Sequence, residues 1–169
     1  FMQRTYDQIS QDLCINQNFS TLIVNTASIY GMNDITHLGI YDIAMMSNIP
    51  NLIYLAPTSK AEYFAMLDWS IEQNQYPVAI RVPCNGVIED DREVDQDYSQ
   101  LNRYKIEKLG EKVAILALGD FYQIGEELAS EVEKQCGFIP TLINPRYITG
   151  IDETVLTSLK DYQLIITLE

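Results

Sequence analysis

Two apolar, β-rich runs, residues 21–24 (TLIV) and 51–56 (NLIYLA), bracket a polar glycine-containing stretch and a short helical one, and this arrangement leaves little choice of fold. The first run stops at Asn25 and the second at Pro57. Both lack the alternation of a half-solvated strand and read as strands buried on both faces of a parallel sheet. The loop between them, residues 27–36, leaves the first strand at its carboxyl end, where open α/β sheets place their ligands. His37, the only histidine of the chain, stands at the far edge of that loop.

The flanking sequence continues the α/β pattern. Residues 1–15 carry Phe1, Met2, Tyr6, Ile9, Leu13 and Cys14 at helical spacing, with Gln3, Arg4, Asp7, Gln8 and Gln11 on the other side, which predicts an amphipathic helix. Leu38, Tyr41, Met45 and Ile49 predict a second, short helix that Pro50 ends. Ser59 with Glu62 at capping-box spacing predicts a helix over residues 60–73 that buries Tyr63, Phe64, Met66, Leu67 and Ile71. A strand over 78–82 follows, opened by Pro77 and closed by Pro83.

Residues 89–100 (EDDREVDQDYSQ) are acidic and nearly without apolar side chains, and they read as a solvated linker. A cation site is the alternative, but the run lacks the turn glycine at fixed spacing that a calcium loop needs. Beyond it come an extended stretch at 104–108, a strand at 113–118, a helix at 123–136 ended by Gly137, a strand at 141–143, a helix capped by Asp152 and a last strand, LIITL. The expected fold class is α/β, with two parallel-sheet domains and helices on both faces of each sheet. The division predicted is 1–88, an acidic linker at 89–103, and 104–169.

Composition narrows the function. A formal net charge of -13 with no local cluster of lysine and arginine removes the usual driving term for nucleic-acid binding and discounts anionic membranes. No run approaches the roughly eighteen apolar residues of a membrane helix, and no signal peptide is visible, so a soluble cytoplasmic protein is expected. Cys14, Cys84 and Cys136 are scattered, which suggests reduced thiols rather than a disulfide framework or a metal site. The chain begins at Phe1 and stops directly after a strand-like run, so both ends look cut out of a larger protein.

Few residues carry chemistry by spacing alone. No Ser/His/Asp set, glycine-rich phosphate loop or metal-ligand cluster can be read. A lone imidazole is often a structural residue, but the loop-to-helix position of His37, beside Thr36, favours function. Arg4, in the first helical turn, could bind a phosphate or carboxylate or could equally be a surface cation.

Four blocks add a resemblance: FMQRTYDQI at 1–9, GMNDITHLGIYDIAMMSNIPNLIYLAP at 31–57, PVAIRVP at 77–83 and NPRYITGIDE at 144–153. Their order and spacing resemble the transketolase-like thiamine diphosphate enzymes, most nearly the 1-deoxy-D-xylulose-5-phosphate synthases. Those enzymes read F-L-Q-R-A-Y-D-Q at the first block, G-A-D-G-x-T-H-x-G-x-F-D at the second and A-V-R-Y-P-R-G at the third. The resemblance covers essentially the whole chain. It implies a partial pyrimidine-binding domain over 1–88 and a partial transketolase carboxy-terminal-like domain over 104–169. It further implies a homodimer and, in the full-length protein, a transferase in isoprenoid and thiamine precursor synthesis that condenses pyruvate with glyceraldehyde 3-phosphate and releases carbon dioxide.

By the same resemblance, Phe1 would pack on the cofactor, Arg4 would help bind substrate together with Asn33 and Thr36, and His37 would sit over the thiazolium carbon and handle protons. Thiamine diphosphate and magnesium are the cofactors implied. The family's diphosphate-binding domain and the glutamate that activates the aminopyrimidine precede the matching region, so these residues alone are expected to be inactive and to bind no cofactor. The chain also departs from the family: Asn25-Thr26 replaces Asp-Arg, Asn33 replaces the loop aspartate, and Cys84 replaces the arginine of Y-P-R-G. Loss of two arginines removes charge-assisted hydrogen bonds of about 1.5 to 3 kcal/mol each at a site for a phosphorylated acceptor. That favours two further readings, a related carboligase or transketolase-like enzyme with a less anionic acceptor, and a non-catalytic paralogue or partner subunit.

Overall fold

A computed structural model describes residues 2–27 and 39–169. In it the apolar runs become β1 (Thr21–Ala27), β2 (Ile53–Leu55) and β3 (Val78–Pro83), all parallel, in the spatial order β1-β3-β2. β3 is central, and Val78, Ala79 and Ile80 are fully buried, which explains the nearly unbroken apolar run in its sequence. Side chains alternate across the sheet. Ile53, Leu55, Val78 and Ile80 pack with Ala65, Met66 and Trp69 of α2 (Lys60–Glu72), and Val24, Tyr54 and Ala79 pack with Ile9, Cys14, Met46 and Ile49. Met46 ends the short α1 (Asp42–Met46).

Two local expectations change. The opening segment is a 3-10 turn, Met2–Thr5, followed by a π-helix, Gln8–Ile15, rather than one α-helix. In α2, Ser59 does cap the first turn, its Oγ accepting from the Glu62 amide at 3.2 Å, but the buried face is Ala65, Met66 and Trp69. Phe64 and Ile71 lie two turns apart on the outer face and are 49% and 65% exposed.

The second sheet has the order β4-β6-β5-β7, built from β4 (Lys105–Lys108), β5 (Val113–Ala117), β6 (Thr141–Asn144) and β7 (Leu164–Leu168). Here β5 is parallel to both neighbours, whereas β4 is antiparallel to β6. Only residues 109–112 separate β4 from β5, too short a connection for a crossover, so β4 must run the opposite way. α3 (Tyr122–Cys136) covers one face with Tyr122 and Ala129, and α4 (Glu153–Ser158) covers the other with Val155. Gly137 ends α3 in the left-handed conformation (φ 73°), and Asp152 caps α4 by accepting from the Thr154 and Val155 amides.

The acidic segment has no regular structure, yet it does not lie loose in solvent. Tyr98 is 2% exposed, edge-on to Trp69 at 5.9 Å, and its carbonyl accepts from the Tyr147 hydroxyl at 2.7 Å. Arg146 donates to Asp95 at 2.5 Å and to the Arg103 carbonyl, tying the middle and the end of the segment to the turn after β6. That turn also covers the free edge of β2: the Ala56 amide donates to the Arg146 carbonyl and the Ile148 amide to the Tyr54 carbonyl, both at 2.8 Å. The Tyr98 hydroxyl is buried with no hydrogen-bond partner among the described residues. Tyr98→Phe keeps the ring contacts and removes the stranded hydroxyl, so it is expected to raise stability by about 1 kcal/mol, seen as a higher urea midpoint; a lower midpoint would show that the hydroxyl has a partner.

Candidate functional site

Polar groups buried at the carboxyl ends of the first sheet's strands form two clusters. The first centres on Arg81, a charge near the end of an otherwise apolar strand. Its Nε donates to Asp42 Oδ2 at 2.7 Å, the same oxygen accepts from the Tyr54 hydroxyl at 2.6 Å, and Nη1 lies 3.7 Å from Asp120 Oδ1. Asp42 is the first residue of α1 and Asp120 follows β5 in the second unit, so Arg81 joins the two units. The Arg81 and Asp42 side chains are only 10% and 9% exposed. Asp42 Oδ1 and Asp120 Oδ1 are buried without hydrogen-bond partners among the described residues. Burial, reinforced by the Asp42 carboxylate to which it donates, pushes the Tyr54 phenol well above its ordinary pKa.

The geometry of Asp120 depends on Gly119. This glycine has a φ of 56°, and a Cβ on it would meet the Ala56 side chain at 3.3 Å. A bulkier residue would therefore be strained and would crowd the β2–α2 turn.

Glu62 centres the second cluster. It is 3% exposed, and its carboxylate accepts from the Thr58 amide and hydroxyl, both at 2.8 Å, and from the Asn144 side-chain amide at 3.1 Å. Arg92 donates to the Thr58 hydroxyl at 3.3 Å and stacks on the Tyr122 ring at 4.2 Å. Burial raises the Glu62 pKa, and the Thr58, Asn144 and Arg146 groups only partly oppose it.

A carboxyl that holds its proton more tightly when folded makes stability fall as pH rises from its ordinary value of 4.5 through the raised folded value, with no further change above it. Glu62→Gln removes this dependence but presents an NH2 group to a site full of donors. The variant is expected to be less stable than the native chain, by a margin that shrinks as pH rises through that window. Urea midpoints between pH 4.5 and 8 check this, and a constant margin would mean that Glu62 titrates normally.

The residues expected from sequence fall unevenly. Phe1, Asn33, Thr36 and His37 lie outside the described residues. Arg4 is exposed in the opening 3-10 turn, and Cys84, just beyond β3, is half-buried. Clefts of about 450 and 420 Å³ are lined by residues such as Arg92, Tyr122 and Glu126, and Asp95, Arg103 and Arg146; neither is lined by Arg4, Asp42 or Arg81. Sequence reasoning missed Asp42, Arg81, Asp120 and Glu62. The available signal was charge in apolar company, since a buried charge must find a partner.

The amino-terminal half, residues 1–86, matches the family model described as transketolase, pyrimidine binding domain. The chain is 35% identical over 161 residues to 1-deoxy-D-xylulose-5-phosphate synthase of Clostridium botulinum (strain Alaska E43 / Type E3), covering 95% of this chain and 26% of that protein. It is 36% identical over 172 residues to the enzyme of the same name from Clostridium perfringens (strain 13 / Type A), covering 100% of this chain and 27% of that protein. The chain thus spans about a quarter of the length of these curated relatives. Among solved structures, a split gene transketolase described as an inactive beta4 tetramer superposes with a TM-score of 0.78 at 23% identity, covering 98% of this chain and 53% of that one. Transketolase from Campylobacter jejuni gives a TM-score of 0.67 at 19% identity, covering 88% of this chain and 27% of that one. These two similarities establish the fold, an α/β arrangement with mainly parallel sheets.

Proposed function

Because the chain belongs to the transketolase pyrimidine-binding-domain family, we propose that it supplies the pyrimidine-binding and carboxy-terminal parts of a thiamine diphosphate-dependent transferase. The reaction proposed is that of the 1-deoxy-D-xylulose-5-phosphate synthases, condensation of pyruvate with glyceraldehyde 3-phosphate with release of carbon dioxide. The observation that carries this is 35–36% identity to those enzymes over nearly the whole chain. The proposed division is a pyrimidine-binding part over 1–88, a connecting segment over 89–103 and a carboxy-terminal part over 104–169.

In this reading the cofactor supplies the carbanion chemistry, and the chain's residues surround it. Phe1 would pack on the cofactor, His37 would hold and move a proton at the reacting carbon, and Arg4, Asn33 and Thr36 would orient substrate. Among the described residues no three His, Cys, Asp or Glu side chains converge as a metal site. In this reading the magnesium-diphosphate end of the cofactor is assigned to a diphosphate-binding domain of the same protein. A homodimer is the proposed assembly.

The acceptor is the point at which a second reading has support. Thr26 and Cys84 stand where those enzymes carry arginine, and Asn33 where they carry aspartate. A carboligase with a less anionic acceptor fits these replacements. The protein expressed from its whole gene, supplied with thiamine diphosphate, magnesium and pyruvate, should release carbon dioxide in an acceptor-dependent way. Comparing glyceraldehyde 3-phosphate with glyceraldehyde separates the two readings, and no cofactor-dependent turnover with any aldehyde would refute both in favour of a non-catalytic subunit.

A further inference from the structure

Asp120, from the second unit, reaches the Arg81 cluster at the carboxyl edge of the first sheet. We propose that Asp120 is a positioning residue for the candidate site: facing a different nitrogen of the Arg81 guanidinium from the one Asp42 holds, it fixes that group and thereby sets the start of α1. The inference rests on the thiamine diphosphate reading for its functional consequence and on the geometry for its structural one.

The guanidinium is planar, and its Nε and Nη1 atoms face different carboxylates, Asp42 at 2.7 Å and Asp120 at 3.7 Å. With both in place the plane has one orientation. Without Asp120, Nη1 loses the one anion it faces among the described ion pairs. Asp42 has few other holds. Its Oδ2 is shared by Arg81 and the Tyr54 hydroxyl, and its Oδ1 has no partner among the described residues. α1 spans only Asp42–Met46, too short to stay formed by its own hydrogen bonds, so it depends on such anchoring and on Met46 in the core. In sequence Asp42 follows His37 closely, within the T-H-x-G-x-Y-D run, so freedom at Asp42 is freedom near the proposed proton-handling group. The left-handed Gly119, packed on Ala56, brings Asp120 close enough to act.

The test uses the protein expressed from its whole gene, with Asp120→Asn, Asp120→Ala and Asp120→Glu, read by amide hydrogen exchange and by kinetics with pyruvate and glyceraldehyde 3-phosphate. Asp120→Ala and Asp120→Asn should speed exchange over residues 42–46 several-fold while leaving α3, the element Asp120 itself precedes, unchanged. They should also lower kcat about tenfold with KM for the acceptor within about twofold, and Asp120→Glu should restore most of both. Unchanged exchange at 42–46, or faster exchange confined to α3, overturns the proposal, as does faster exchange at 42–46 with kcat unaltered. If the native protein shows no cofactor-dependent turnover, the functional reading fails by itself, and the exchange measurement still decides whether Asp120 holds α1.

Discussion

Replacing His37 by Ala in the protein expressed from its whole gene is expected to lower kcat about a hundredfold or more while leaving the unfolding midpoint nearly unchanged. His37 is the chain's only imidazole. Among its side chains it has the ordinary pKa best matched to giving and taking protons near neutral pH, and a positioned general acid-base contributes roughly 10²- to 10⁴-fold. From the sequence, His37 is expected in a loop beyond a strand's carboxyl end, where a side chain has little packing to lose, which is why stability should be spared. The opposite outcome, a destabilised fold with unchanged activity per folded molecule, would make His37 a structural residue. A matched fall in kcat and kcat/KM would place its interaction in the transition state; a rise in KM alone would reduce it to a binding contact.

Legibility in the sequence followed the range of the forces involved. β3 was readable because a central parallel strand is buried on both faces and must be apolar nearly throughout, and Ser59, Gly137 and Asp152 were readable because caps act over a few residues. The facing of α2 was not. Its apolar residues surround the helix, so nothing local distinguishes Phe64 and Ile71, which are exposed, from Met66 and Trp69, which are buried. The direction of β4 was implicit in the short connection at 109–112 but is settled only by its pairing with β6.

The acidic segment shows the limit more sharply. Composition reads as solvated linker, and most of its carboxylates are exposed, but one tyrosine beneath Arg146 turns it into a packed strap. The candidate site was half visible for a related reason. A family resemblance points to residues proposed to touch ligand, such as His37 and Arg4. Asp120 and Glu62, which join the two units, owe their place to contacts between residues far apart in the chain: Asp120 to Arg81, Glu62 to Asn144.

Arg81→Met is expected to produce the largest stability loss of any single change at this edge, about 3 to 5 kcal/mol. Among the described residues the native arrangement already has one cation for two carboxylates, with two of their oxygens without hydrogen-bond partners. Methionine matches much of the arginine stem, so the loss measures the missing charge rather than a cavity. Of its contacts among the described residues Asp42 keeps the Tyr54 hydroxyl, Asp120 loses its ion pair, and the two anions now repel across a space the guanidinium filled. Asp42→Asn in the same chain removes one of the two facing charges and should recover part of the deficit. Urea midpoints for the single and double variants supply the comparison. A deficit below about 1 kcal/mol, or no recovery in the double variant, would mean that water reaches the cluster and that Arg81 is not the ionic centre holding the edge together.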